Sequence, residues 1–332
     1  MQKILIITDA WAPQVNGVAM VLDRITKIIV EKGYDVQIIQ HNLFHSFNVP
    51  FFPEVRIAFF PGRRIKKILF EEKPDYVHIA TEGQLGFIAR IICAKKKIKF
   101  TTAYHTNFDL YLQARVSQFM LKIVGTYLRW FHNGSVATMV STRSLKKELE
   151  KKGFRNVVIT PLGVDTELFE KSKEAISPYP KPIFTYLGRI AKEKNVEEFL
   201  NCNLSGTKLI IGDGPQRKQL EKIYGNNAVF LGAKIGQELV DLLSQSDVLV
   251  FPSRTDTFGL VIVEALACGV PVAAHNVMGP KDIITHNIDG FLDEDLGLAA
   301  RECLKLDRNA CRKKALMFSW ENSADTFLRN LQ

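Results

Sequence analysis

Residues 247–275 read DVLVFPSRTDTFGLVIVEALACGVPVAAH. The stretch runs from a short apolar segment (DVLVF) through a polar loop into a helix former (FGLVIVEALA), then a second apolar segment (VPVAAH). Segments that are apolar throughout, rather than alternating, belong to strands covered on both faces. Two such strands joined through a helix lie parallel in one sheet. The loop carries Asp256 and the helix carries Glu264. A loop acid leading into a helix start, with Gly259 letting the backbone approach closely, makes a pocket with free N–H donors and two acceptors. Such a pocket suits a molecule with phosphates at one end and hydroxyls at both.

The same alternation fills the chain on either side. KILIIT reads as a strand and NGVAMVLDRITKIIVEKG as an amphipathic helix ending at Gly33. DVQIIQ, DYVHIA, IKFTTAYH, SVATMVS and NVVITP follow as strands, with helical stretches between them. ELFEKSKEAISPYPKP at 167–182 is polar and Pro-bearing and has no apolar period, as a linker would be. The pattern then restarts with IFTYLGRI, TKLIIGDGP, NAVFLGA, DVLVFPS, VPVAAH and DGFLD. The expectation is an α/β chain of two doubly wound, Rossmann-like parallel-sheet domains, 1–168 and 183–318, joined by a linker at 169–182. A last helix, 319–332, starts at Ser319 and is expected to pack back on the first domain. Ligands of such folds sit at the C-terminal ends of strands, so a cleft between facing loops is expected.

A chain of 332 residues is long enough for two such domains. With 46% hydrophobic and 24% charged residues it is not a disordered sequence. No apolar run approaches the roughly 18–20 residues of a transmembrane helix, and MQKILIITDAW reads as a buried strand rather than a signal peptide. Five scattered cysteines, without pair spacing, fit reduced thiols in a cytoplasm. The net charge of +9 is one-sided: residues 1–170 hold 24 Lys and Arg against 15 Asp and Glu, and residues 171–332 hold 20 of each. The densest clusters are Arg63–Lys67, Lys95–Lys99 and Lys146–Arg155. They read either as solvated helix faces or as a surface for an anionic partner, with membrane lipid the partner expected. No nucleic-acid recognition module accompanies the charge.

Several loops at expected strand ends could face a ligand. TDAWAPQVNGV (8–18) turns through Asn16 and Gly17, either as a plain tight turn or as a backbone cradle for phosphate or sugar. LGRIAKEKN offers Arg189 and Lys194, a bidentate grip and a point charge for a pyrophosphate. IIGDGP and FLGA end strands in Gly turns, so backbone at Gly212, Leu231 and Ala233 could hold a base edge. Glu264, a carboxylate inside an apolar helix, needs a partner, which ribose hydroxyls or a structural cap would supply. AYHTNFDLYL sets His105 and Asp109 at a strand end, where His105 either touches a transferred sugar or is satisfied structurally. No histidine or cysteine spacing matches a metal site, so no metal is expected and basic side chains would neutralise the pyrophosphate.

TDAWAPQVNGV, YHTNFD, PLGVDTELF, LGRIAKEKN, GDGPQRKQLE, FPSRTDTFGLVIVEALACGVPV and MGPKDII occur in the order seen in retaining glycosyltransferases of GT-B fold, glycosyltransferase family four. The chain resembles that family over nearly its whole length. TYLRWFHN (126–133) and SRTDTFGL (253–260) are similar to bacterial GDP-mannose-dependent α-mannosyltransferases and to sulfoquinovosyl- and glucosyl-diacylglycerol synthases. The resemblance implies that Gly17 lies over the donor phosphates and His105 contacts the transferred sugar. It implies that Arg189 and Lys194 bind the diphosphate, Asp256 binds sugar hydroxyls, Phe258, Gly259 and Leu260 offer backbone groups, and Glu264 binds ribose. Leu162 stands where relatives often have Arg, and the first domain is compact for the family.

The resulting expectation is a retaining, metal-independent α-glycosyltransferase. It would move a mannose- or glucose-type hexose from a GDP- or UDP-sugar to a membrane lipid or lipid-linked glycan, with no cofactor, at the cytoplasmic face of a membrane. The rival readings are a sugar-nucleotide epimerase of the same fold and a non-catalytic nucleotide-sugar or lipid-binding protein.

Overall fold

A computed structural model of the chain describes residues 1–11, 17–49, 52–105, 117–170 and 177–331. Asn16 and Asp109 lie outside them. The chain forms two compact units, Met1–Pro161 with Trp320–Gln332, and Leu162–Ser319.

The first unit contains β1 (Lys3–Ile7), α1 (Gly17–Glu31), β2 (Asp35–Ile39), β3 (Ser46–Val49), β4 (Phe52–Ala58), α2 (Pro61–Glu71), β5 (Tyr76–Ile79) and α3 (Gln84–Lys96). It continues with β6 (Thr101–Ala103), α4 (Gln118–His132), β7 (Ala137–Val140), α5 (Arg143–Lys151) and β8 (Val157–Ile159). Six strands pair in parallel in the order β2-β1-β5-β6-β7-β8. The remaining two, β3 and β4, form a separate antiparallel pair. The core gathers Leu5, Ile7, Ile39, Val77 and Ile79 from the sheet with Leu85, Ala89 and Cys93 of α3.

The second unit contains β9 (Ile183–Leu187), α6 (Val196–Asn201), β10 (Thr207–Ile211), α7 (Arg217–Tyr224), β11 (Val229–Gly232), α8 (Gly236–Gln245), β12 (Val248–Phe251) and α9 (Leu260–Ala267). Then come β13 (Val272–Ala274), α10 (Pro280–Ile283), β14 (Gly290–Leu292), α11 (Leu296–Cys303) and α12 (Arg308–Ala315). Its sheet is parallel, in the order β11-β10-β9-β12-β13-β14. Successive strand residues point to opposite faces, and both faces are apolar here. Leu187, Ile211, Leu249, Phe251 and Val272 pack with α8, α9 and α12. Phe184, Tyr186, Ile210, Val250 and Ala273 pack with α6, α7 and α11. Burial on both sides is why these strands read as continuous apolar runs.

The expected boundary at residue 168 moves to 161/162. Val164 N donates to Phe318 O at 2.7 Å, and Val164 bridges Ser319. Arg312 donates to the carbonyls of Phe169 (2.7 Å), Thr166 (2.8 Å) and Ala267 (2.9 Å). Residues 162–169 are thus fastened to the second unit, and Val164 and Phe169 lie in its core. The last helix, α13 (Trp320–Asn330), belongs to the first unit, and Ser319 just before it belongs to the second. Within the first unit, Phe327 of α13 meets the His78 ring edge-on at 4.9 Å. Lys32 pairs with Asp325 at 2.8 Å, and Asn330 reaches Ile159 O and Thr160 Oγ1.

Candidate active site

In the second unit the strand order reverses between β9 and β12. In open parallel sheets this is the place outside the strand ends where ligands bind. The loops leaving these two strands carry Arg189, Lys194 and Asp256. Lys194 Nζ lies 2.6 Å from Asp256 Oδ1, and both side chains are partly exposed. The sequence reading gave Lys194 to phosphate and Asp256 to sugar as separate contacts; the structure brings them together as an ion pair. Among the described residues the buried Asp256 Oδ2 has no hydrogen-bond partner, an acceptor left open beside a cation.

Tyr186 joins Arg189 to the same place. Its hydroxyl donates to Arg189 O at 2.7 Å, which fixes the turn. Burial raises its pKa, and the nearby charges of Asp256 and Glu193 raise it further. It is neutral and a firm donor. The sequence reading passed over it as part of an apolar strand, although a polar-tipped aromatic next to a strand end was a signal. Thr255 Oγ1 donates to Glu193 O at 3.3 Å, tying the β12 loop to the β9 loop. Glu198 of α6 braces the β12 loop and the end of β13, lying 3.8 Å from Arg254 and 3.1 Å from His275 Nε2.

Gly212 and Gly214 follow β10 with φ of +147° and +157°. A Cβ on Gly212 would stand 1.9 Å from Gly188 O, and one on Gly214 would stand 2.3 Å from Ile190 O. These glycines let the β10 loop press against the Arg189 loop, which is a packing reason for the motif. Gly212 N donates to Gly232 O at 2.8 Å. Leu231 at the end of β11 is half-buried and Ala233 beyond it is exposed.

The β12 loop enters α9 through Phe258 and Gly259. Phe258 is buried and sits edge-on to Phe318 at 6.0 Å. Gly259 has φ +94°, and a Cβ there would crowd Ile262 at 3.0 Å and Phe251 at 3.1 Å. Gly279, before α10, backs onto this loop, since a Cβ on it would lie 2.7 Å from Asp256 O. In α9 only Leu260, Val261 and Glu264 are not fully buried. Positions i, i+1 and i+4 share one face of a helix. That face begins at the helix start, where N–H groups lack intrahelical acceptors. Among the described residues no hydrogen bond or ion pair reaches the Glu264 carboxylate, and burial pushes its pKa up to about 7.

In the first unit, His105 follows β6 and is half-buried. Burial lowers its pKa, with Glu82 opposing and His132 adding to the fall, so the imidazole is neutral at pH 7. His132 is held by Thr102 Oγ1 at 2.9 Å and Glu82 Oε1 at 3.1 Å, and Tyr104 packs on its ring at 5.3 Å. Gly17 opens α1 and is exposed, and among the described residues a Cβ on it would meet no atom within 4 Å. Asp9, at the reversal between β1 and β5, caps α3: Leu85 N donates to it at 2.9 Å and Thr81 Oγ1 at 2.9 Å. Among the described residues no group of three or more His, Cys, Asp or Glu could hold a metal ion.

Residues 15–168 match the family model Glycosyltransferase Family 4, and residues 167–295 match Glycosyl transferases group 1. The chain is 29% identical to the sulfoquinovosyl transferase SQD2 of Arabidopsis thaliana, over 86% of this chain and 62% of that protein. It is 27% identical to a GDP-mannose-dependent alpha-mannosyltransferase of Mycobacterium tuberculosis, over 87% of this chain and 83% of that one. It is 25% identical to the alpha-monoglucosyldiacylglycerol synthase of Streptococcus pneumoniae, over 91% and 78%. Among solved structures, the sucrose-phosphate synthase of Thermosynechococcus elongatus superposes with a TM-score of 0.79 at 18% identity, over 99% of this chain and 98% of that one. That likeness gives the two-domain GT-B architecture.

Proposed function

We propose, for a chain that belongs to the glycosyltransferases joining a Family 4 domain to a group 1 domain, that it moves a mannose- or glucose-type hexose from a nucleoside-diphosphate sugar to a hydroxyl of a membrane lipid or lipid-linked glycan, with retention at the anomeric carbon. The observation that carries the reading is the Lys194–Asp256 pair at the strand reversal, with Glu264 unpartnered on the open face of α9. Lys194 and Arg189 meet the diphosphate, Asp256 meets sugar hydroxyls and Glu264 accepts from the ribose. Gly17 lies over the donor phosphates, and neutral His105 hydrogen-bonds the transferred sugar.

In the reaction the bond from the anomeric carbon to the phosphate oxygen breaks and a bond to the acceptor oxygen forms on the same face. The leaving phosphate takes the acceptor proton, so the protein supplies positioning and charge stabilisation instead of a base. The relatives named for a diacylglycerol product and for GDP-mannose support the substrate classes, and the basic first half of the chain supports a lipid acceptor.

The test incubates the protein with a panel of sugar nucleotides and membrane lipid extract and identifies products by mass spectrometry. A glycosylated lipid is expected. Exchange at the sugar C2 without an acceptor would instead establish an epimerase, and donor binding without turnover a binding protein. The transfer should persist in excess EDTA, because Lys194 and Arg189 carry the charge that a divalent ion otherwise offsets. Loss that magnesium or manganese restores would reverse that part of the reading.

A further inference from the structure

At the other end of the first unit's sheet, residues of α3, α4 and α5 line an open surface cavity of about 600 Å³. Gly134 and Gly153 line it, shortly before β7 and β8, so it lies at the N-terminal ends of those strands, whereas His105 follows the C-terminal end of their parallel neighbour β6. Three cations from three elements line it: Arg90 of α3, Arg129 of α4 and Lys152 after α5. No carboxylate is among the lining residues.

Arg90 is preorganised. Its guanidinium carbon stands 3.7 Å from the centre of the Trp130 ring, and Nη2 donates to Trp130 O at 2.9 Å. A Cβ on Gly134 would come within 2.6 Å of Nη2, so glycine makes the room that Arg90 fills. Among the described residues its buried Nε has no hydrogen-bond partner, Arg129 bonds only to Thr126 Oγ1, at 3.2 Å, and no carboxylate pairs with either arginine. Lys152 pairs with Glu148 one turn back. The wall is rigid: Asn133 accepts from Arg155 N at 2.8 Å and donates to Gly153 O at 3.0 Å. Exposed Lys95, Lys96 and Lys151 lie at the same ends of α3 and α5. Cations that line one depression favour an anion there, and a guanidinium suits phosphate oxygens.

We propose that this cavity binds a phosphate group, carried by a soluble phosphomonoester or by an anionic lipid headgroup. The inference rests on the first unit alone and stands whether or not the transferase reading holds.

The test compares the parent with Arg129→Gln/Lys152→Gln. Calorimetry with inorganic phosphate and glycerol 3-phosphate probes the soluble source. Co-sedimentation with phosphatidylcholine vesicles, with and without phosphatidic acid, probes the lipid source. The double variant should bind whichever probe the parent binds at least about tenfold more weakly, from two lost charge-assisted contacts. Arg129→Gln alone, which gives up only a bond to Thr126, should lose about threefold. Response to the soluble probes only assigns a free phosphomonoester, and response to phosphatidic acid vesicles only assigns a headgroup. A parent that binds none of the probes, or variants that bind as tightly as the parent, would overturn the site.

Discussion

Glu264 is the residue whose chemistry is most exposed to test. Its carboxyl holds a proton up to about pH 7 in the folded chain, against an ordinary value of 4.5. Between those values the folded state binds more protons than the unfolded one, so stability falls as pH rises through that window. Glu264→Gln should remove this slope and raise stability at pH 8 by on the order of 1–2 kcal/mol, the partly exposed site being screened. Denaturant melts of parent and variant at pH 5 and pH 8 measure it, and an unchanged slope would refute the buried acid. The same variant should bind the nucleotide donor about tenfold more weakly or worse, since ribose hydroxyls lose a charged acceptor. This acid was legible in the sequence as the single charge in LVIVEALA. Asp256 was legible only as a loop acid, because its partner Lys194 lies 62 positions away.

Among the elements, the loops after β9 and β10 depend on glycine for contact rather than for flexibility. Gly212→Ala should push a methyl into Gly188 O and strain a backbone held at φ +147°. A loss of about 2–4 kcal/mol is expected, with donor binding reduced beyond what the fold loses, because the displaced loop carries Arg189. Thermal melts and donor titration of the variant decide this, and a variant as stable as the parent would mean the loops do not press together. The parallel strands were readable as uniform apolar runs because both faces of the sheet are covered. The boundary at 161/162 was not. PLGVDTELF has no apolar period, and it is held by a bridge from Val164 to Ser319 and by Arg312, contacts that no local pattern announces. The pairing of β3 with β4 was equally hidden.

For the whole molecule, the one-sided charge has a structural counterpart. Arg63, Arg64, Lys66 and Lys67 are all exposed on α2, flanked by exposed Phe60 and Phe70. If this face meets anionic lipid, each cation contributes on the order of 1 kcal/mol at the surface. Replacing the four with Gln should weaken co-sedimentation with anionic vesicles by at least about tenfold and leave donor binding unchanged. Vesicle binding indifferent to lipid charge, or equal in both proteins, would return α2 to an ordinary solvated helix. The return of α13 to the first unit has a further consequence, for synthesis. The second unit, Leu162–Ser319, is an insertion within the first, whose final piece therefore leaves the ribosome after the second unit does. Buried Trp320, Phe327 and Leu331 supply on the order of 5 kcal/mol of apolar burial, comparable with the whole stability of a small domain. Residues 1–161 must therefore wait, incomplete, while the insertion folds. Expressed by itself, 162–319 should melt cooperatively and bind a nucleoside diphosphate, whereas 1–161 should become structured only when a 320–332 peptide is added in trans. Circular dichroism of the two fragments reads the order directly, and a stable 1–161 without the peptide would show that the nascent chain has no such dependency.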